Sequence, residues 1–203
     1  MPPAPTQAQS MDLETPEVLD LLRRVAQKDE PAFRRLYNSV SRRVYAFAMH
    51  HLHDATAAAE VVGEALYEVW RRPEAFRGDA KFSTWVLGIA RHKMLDRMRS
   101  KAPEHEDIDE HLELADTQAL EGFEHLAQRQ RSAGVATCLD KLGEPHRECL
   151  YLVYFEGLSV AEVGAVQGVP EGTVKTRLFH ARANIKRCLQ RLLAREGGGD
   201  DGS

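Results

Sequence analysis

A chain of 203 residues with 43% hydrophobic and 29% charged side chains can build one domain or two small ones, and it has no apolar run near the roughly 20 residues that cross a bilayer. Its formal net charge of −4 argues at first against nucleic acid, because such binding is driven by Lys and Arg neutralising phosphates. Cys138, Cys149 and Cys188 are an odd number at wide spacings, which fits neither a disulfide framework nor a CxxC metal or redox motif; they read as reduced core thiols of a cytoplasmic protein.

The distribution of charge overturns the argument from its sum. Arg71 to Lys101 carries nine Lys and Arg residues, and Glu171 to Glu196 carries seven against two acidic ones. Between them, Pro103 to Glu124 holds nine Asp and Glu residues and no Lys or Arg. A stretch of like charge with few large apolar residues repels itself and does not easily form a core. It therefore marks a flexible acidic linker, 102–132, between two domains, 13–101 and 133–196. Residues 1–12 are Pro-, Ala- and Gln-rich, with neither a basic start nor an apolar stretch, and read as a disordered leader rather than a secretory signal. The Gly/Asp-rich tail 197–203 reads as disordered too.

Both domains read as all-α, since Pro and Gly are sparse within them and apolar residues recur at helical spacing. Asp29 followed by Pro31 starts a helix with a stripe of Phe33, Leu36, Tyr37, Val40 and Val44. Val61, Val62, Ala65, Leu66, Val69 and Trp70 form the apolar face of a second helix, opposite Glu60, Glu64, Glu68 and Arg71. A loop containing Phe76-Arg77-Gly78-Asp79 leads into another helix. There the spacing points Val86, Ile89, Ala90 and Leu95 inward and Arg91, His92, Lys93, Arg97 and Arg99 outward.

In the second domain Val135, Cys138, Leu139 and Leu142 recur at helical spacing, and Glu144-Pro145 starts a helix that runs through Phe155. Ser159 with Glu162 makes a capping box for a helix from Val160 to Gln167. Gly168-Val169-Pro170 supplies a tight turn, and Glu171 opens a long basic helix: the layout of a helix-turn-helix DNA reader. Wound at 100° per residue, that helix puts Val174, Leu178, Ala181 and Ile185 on one face and Thr176, Phe179, His180, Ala183, Lys186 and Arg187 on the other. Phe179 suits a thymine methyl, Thr176 and His180 suit base edges, and Lys175, Arg177, Arg182 and Lys186 suit phosphates. The alternative is that Phe179 packs within the domain and the charges are a solvated face. A second basic patch interleaves Phe76, Phe82 and Trp85 with Arg77, Lys81, Arg91, Lys93, Arg97 and Arg99, a mixture that suits unstacked bases on a positive groove. Phe82 and Trp85 fit a helix core at least as well.

The runs DEPAFRRLY and EVVGEALYEVWRRPEAFRGDAKFSTWVLGIARHKMLDRMR, within Asp29 to Arg99, resemble region 2 of the extracytoplasmic-function (group 4) sigma factors of the sigma-70 family. Leu139 to Lys186, ending GVPEGTVKTRLFHARANIK, is similar to their region 4. The resemblance implies a promoter-recognition factor rather than an enzyme. Its region 2 would bind the clamp helices of the largest RNA polymerase subunit and melt the −10 element; its region 4 would sit on the flap of the second-largest subunit and read the −35 element. It implies clamp binding by the helix from Glu60 to Trp70, with Glu60, Glu64, Tyr67 and Glu68 as contacts. It also implies −10 contacts from Phe76, Arg77, Asp79, Lys81, Trp85, Arg91, His92, Lys93 and Arg97, and −35 contacts from Lys175, Thr176, Arg177, Phe179, His180, Arg182 and Lys186. A further implied partner is an anti-sigma factor, often membrane-tethered. The chain departs from the family pattern at Val61 and Gly63, where an acidic residue and a Gln are usual. It also departs at Gly143 within Leu142-Gly143-Glu144-Pro145, at His92 for Asn, and at His180 for Arg.

His50, His51 and His53 with Asp54 suggest a metal cluster, but His50 and His51 point 100° apart on a helix and no second ligand set follows. No nucleophile-base pair or phosphate-cradling glycine loop appears. The reading is therefore of no metal, no cofactor and no small-molecule substrate. Two rivals remain: an autonomous helix-turn-helix repressor or activator, and a nucleic-acid-processing or metal-dependent hydrolase using the His and acidic residues.

Overall fold

The computed structural model describes residues 13–101 and 133–196. The expected leader, linker and tail lie outside the described residues. The chain divides into two compact units, one comprising Met1–Asp107 and Ala165–Gly168, the other Ile108–Gly164 and Val169–Ser203. Among the described residues there are eight α-helices, one 3₁₀ turn and no strand.

The first unit holds α1 (Thr15–Ala26), α2 (Glu30–Leu52), α3 (Ala55–Arg71), the 3₁₀ turn Pro73–Ala75 and α4 (Phe82–Lys101). Helix α1 was not anticipated from the sequence, although its signals are present. Pro16 sits in the first turn, where a missing N–H costs nothing, and Val18, Leu21, Leu22 and Val25 form one buried stripe. The helix packs on α2 and on the 3₁₀ turn, and Glu17 pairs with Arg35 of α2.

Two aspartates start the helices that matter most. The Asp29 carboxylate accepts from Ala32 N at 3.0 Å at the head of α2. Together with the Arg24 guanidinium 2.8 Å away, that backbone bond holds its carboxyl below the usual range. At the other end of α2, His53 takes a left-handed backbone (φ 51°) and closes the helix onto Met49 O. The next residue, Asp54, accepts from Thr56 N at 2.9 Å and Ala57 N at 3.1 Å to open α3. One dipeptide thus ends one helix and begins the next, and a cap of this kind contributes about 1 kcal/mol. Of the residues considered for metal, His51 is buried, with Nδ1 2.8 Å from Phe47 O, and Asp54 caps α3.

Helices α2, α3 and α4 pack on one another around Leu36, Val40, Val44, Phe47, Val61, Ala65, Leu66, Val69, Val86, Leu87, Ala90 and Met94. The inward row of α4 differs from the one expected. Val86 and Ala90 are buried, but their companions are Leu87 and Met94, whereas Ile89 and Leu95 are half-buried. The wheel drawn for an isolated helix assumes one covering surface, and α4 meets both α2 and α3.

The second set of helices is α5 (Ala133–Asp140), α6 (Glu144–Tyr154), α7 (Val160–Gln167) and α8 (Glu171–Glu196). The capping box forms as expected: Ser159 N donates to Glu162 Oε2 at 2.9 Å, and Glu162 N donates to Ser159 Oγ at 3.3 Å. Gly168, at φ +68°, turns the chain in the left-handed region that favours glycine. A Cβ on Gly164 would lie 2.8 Å from Val169 O, so the turn between α7 and α8 closes this tightly only over a glycine. Both α5 and α6 pack on α8, whose Val174, Leu178, Ala181, Ile185 and Leu189 are buried.

The cysteine expectation is corrected for two of the three. Cys138 of α5 and Cys188 of α8 are joined as a disulfide, with Cα atoms 5.8 Å apart, while Cys149 is a buried thiol outside that bond. Their separation of 50 residues conceals the pairing in the sequence; the packing of α5 on α8 creates it. In the chain-entropy model a ring of that length stabilises the native state by roughly 4 kcal/mol. Reduction, or Cys188→Ser, is therefore expected to lower the melting temperature of the full chain in calorimetry, and a melt indifferent to reductant would overturn the pairing.

Candidate nucleic-acid interface

In α8 the buried row agrees with the wheel, and the opposite row is only partly free. Lys175 and Lys186 are exposed, the former 3.9 Å from Glu171 one turn earlier. Thr176 Oγ1 donates back to Gly172 O at 3.0 Å. Arg182 Nε donates to Tyr154 OH at 3.0 Å, and its guanidinium lies 5.7 Å from that ring. Arg182 is thus engaged by α6 as well as being a candidate for phosphate. Arg177 is half-buried.

Phe179 and His180 do not stand out into solvent as the isolated wheel suggested. Both are half-buried, their rings 5.4 Å apart edge to face. On its other side the His180 ring meets His146, in the first turn of α6, at 6.4 Å. His180 Nε2 is buried without a hydrogen-bond partner. Burial, then the charges of Arg177 and His180, push the His146 imidazole below its ordinary pKa. A one-helix projection cannot contain a residue from another helix, and for that reason His146 was missed; nothing in its local sequence singles it out.

In the first unit Phe76 is buried and forms a ring cluster with Phe82 at 5.7 Å and Trp85 at 5.3 Å. Phe82 is buried, Trp85 half-buried. The cluster forms the base of the loop from which Arg77, Asp79 and Lys81 project into solvent. Arg43 of α2 donates to Ser83 Oγ at 3.1 Å and pins the start of α4. Along α4, His92 and Arg99 are exposed, and Arg91 and Lys93 are half-buried.

Arg97 is placed otherwise than an outward strand-contacting residue would be. Its two terminal nitrogens pair with Glu60 and Glu64 of α3, so the guanidinium bridges the two helices. Those glutamates share one side of α3 with Tyr67 and Glu68, at spacings of four from Glu60 to Glu64 and of three and four from Glu64 to Tyr67 and Glu68. Tyr67 is 62% exposed, and Glu68 lies 3.5 Å from Arg72. Beside this ridge, Phe33, Tyr37, Leu66, Tyr67 and Trp70 line a groove of about 660 Å³ between α2 and α3. Gly63, one of the departures from the family pattern, lies in it. Apart from its neighbours and the backbone of its own helix, nothing lies within 4 Å of where its Cβ would be, so a longer side chain there would extend into open space beside the groove.

Residues 36–104 match the family described as Sigma-70 region 2, and residues 132–185 match Sigma-70, region 4. The RNA polymerase sigma-H factor of Pseudomonas aeruginosa is 32% identical over 181 residues, covering 85% of this chain and 94% of the relative. The ECF RNA polymerase sigma factor SigK of Mycobacterium tuberculosis is 31% identical over 179 residues, covering 83% and 91%. The fold is similar to that of CnrH, solved in complex with the cytosolic domain of CnrY, with a TM-score of 0.57, 24% identity and coverage of 86% and 98%. It is also similar to the sigma factor RpoE solved with the anti-sigma factor NepR from Bartonella quintana, with a TM-score of 0.56, 20% identity and coverage of 78% and 96%. Two region matches in the expected order, over helices that build a helix-turn-helix and a basic aromatic loop, identify the chain as a member of the extracytoplasmic-function group of the sigma-70 family, the factors that direct RNA polymerase to promoters.

Proposed function

We propose that the chain divides promoter recognition between its two domains, 13–101 engaging the polymerase clamp and the melted −10 strand and 133–196 reading the −35 duplex from α8. The observation that carries this reading is the closed turn at Gly164 and Gly168, which delivers a long basic helix with Lys175 and Lys186 exposed on its surface. The same reading gives Arg77, Asp79, Lys81, Trp85, Arg91, His92 and Lys93 to the −10 strand, with Phe76 supporting the loop rather than stacking on a base. Glu60, Glu64, Tyr67 and Glu68 face the clamp, and the flap of the second-largest subunit holds the 133–196 domain. The chain works beside the polymerase in the cytoplasm and catalyses no reaction of its own. No helix among the described residues is long and apolar enough to cross a membrane. An anti-sigma factor is a further partner, by extension from RpoE, solved with NepR.

Run-off transcription with core polymerase on a promoter library tests the whole reading. Nanomolar, sequence-specific binding by the chain without core polymerase would favour an autonomous repressor instead. Within α8 two classes of residue are expected to separate. Lys186→Ala weakens every −35 sequence alike and reduces the salt slope by about one. Phe179→Ala changes the preference at particular base pairs by about 1–3 kcal/mol. A folded Phe179→Ala protein with wild-type preference across a randomised −35 element would remove Phe179 from the reading surface.

The lowered pKa of His146 sets a sign for acid sensitivity. Between its folded value and the ordinary value of about 6.5, the unfolded chain binds more protons than the folded one, so stability rises with pH. The His146 contribution is therefore intact above about pH 6.5, declines as pH falls through that window, and is constant below the folded pKa. Arg177 and His180 are the charges that disfavour the imidazolium. Thermal melts of wild type and His146→Gln across this range are expected to converge toward acid pH; parallel curves would show that His146 titrates normally.

A further inference from the structure

The His180 ring is flanked by two others. Phe179, its neighbour on α8, meets it edge to face with centroids 5.4 Å apart, and His146 of α6 meets it at 6.4 Å with the planes 78° apart. Both separations fall within the range at which perpendicular rings attract. Nε2 of His180 is buried without a hydrogen-bond partner, so that edge of the ring faces protein, and its direction is set by packing and not by a polar contact. His146 is itself held in place. It lies in the first turn of α6, next to Pro145, where its N–H donates to Gly143 O at 3.1 Å, and Glu144 and Arg147 of the same turn pair with each other. Burial, reinforced by the charges of Arg177 and His180, keeps its imidazole below the ordinary pKa. Near neutrality the ring therefore carries no charge, and a neutral half-buried ring has little to offer a phosphate.

Resting on the reading that α8 faces the −35 duplex, we propose that His146 is a positioning residue for −35 specificity: a ring on α6 that fixes the direction of His180, and through it the base pair preferred, without touching DNA. A side chain already held in its binding orientation loses less freedom when it makes contact. The benefit falls on the sequence that needs that orientation, and not on the phosphate attraction common to all sequences. A residue that only stabilised the domain would, when removed, weaken every −35 element alike. A phosphate ligand at the head of α6 would contribute to the salt dependence of binding. His146 acting through His180 does neither, and its effect disappears when His180 is absent.

The test uses holoenzyme assembled from the full chain and core polymerase, on promoters randomised in the −35 element and marked by a barcode in the transcript. His180→Ala is expected to lower discrimination at a particular base pair by at least about fivefold. His146→Ala is expected to lower it at the same base pair by about two- to tenfold, the scale of one ring–ring contact, and to add nothing in the His180→Ala background. His146→Phe restores a ring that cannot take a proton, and is expected to return the preference to within about twofold of wild type. It also keeps the proposal testable if circular dichroism melts show that His146→Ala does not fold. The salt slope of holoenzyme binding to one fixed promoter is expected to be unchanged by His146→Ala, where loss of a phosphate contact would reduce it by about one. A loss that is uniform across −35 sequences, falls at another base pair, persists in full beside His180→Ala or lowers the salt slope would overturn the proposal. A shift with His180→Ala and none with His146→Ala overturns this proposal alone. Wild-type preference in His180→Ala itself would remove that ring from the proposed −35 surface and take the role of His146 with it, so the two failures are distinguishable.

Discussion

Each charged helix of this chain is also a wall of a hydrophobic core, and that double duty determines which of its charges remain free. In α4 the residues Val86, Leu87, Ala90 and Met94 are buried, which brings the helix against α3. Arg97 lies three residues beyond Met94, on nearly the same side, and is thereby delivered to Glu60 and Glu64. His92 and Arg99 lie away from that seam and remain exposed. The apolar pattern therefore distributes the cations of one helix between a structural partner and solvent.

The same constraint operates in α8. Burial of Val174, Leu178, Ala181 and Ile185 places the helix on α5 and α6. The residues flanking that row are then close enough to α6 to be engaged by it: Arg182 by the Tyr154 hydroxyl and His180 by the His146 ring. Lys175 and Lys186 remain in solvent. A reading helix built this way has a graded surface, with exposed lysines suited to phosphates beside half-buried rings packed against a second helix. Side chains held in place by packing lose less freedom on binding than mobile ones do, which is a physical basis for assigning specificity to the rings and general attraction to the lysines.

Much of this was legible in the residues themselves. The capping box of Ser159 and Glu162, the turn at Gly168 and the start of α2 at Asp29 are local events, decided within a few residues, and they form where the sequence indicated. Amphipathic periodicity likewise identified the buried side of α3 and of α8. Helix α1 carries local signals of the same kind, in Pro16 and the stripe from Val18 to Val25. The motif runs within Asp29 to Arg99 and Leu139 to Lys186 carried the family.

Other features belong to the tertiary structure alone, because each depends on distances between residues far apart in the chain. Cys138 and Cys188 are 50 residues apart and 5.8 Å apart at Cα, so counting cysteines could not pair them. Arg97 and Glu60 are separated by 37 residues, and each taken singly looked like a free surface charge. His146 carried no local signal and became part of the site only when α6 packed beside α8. The sequence by itself determined the local caps and turns, the buried sides of α3 and α8, and the family. Which exposed-looking charges are neutralised, and which rings are held, was decided by packing, since a helical repeat specifies direction around one axis and contains nothing about what lies across from it.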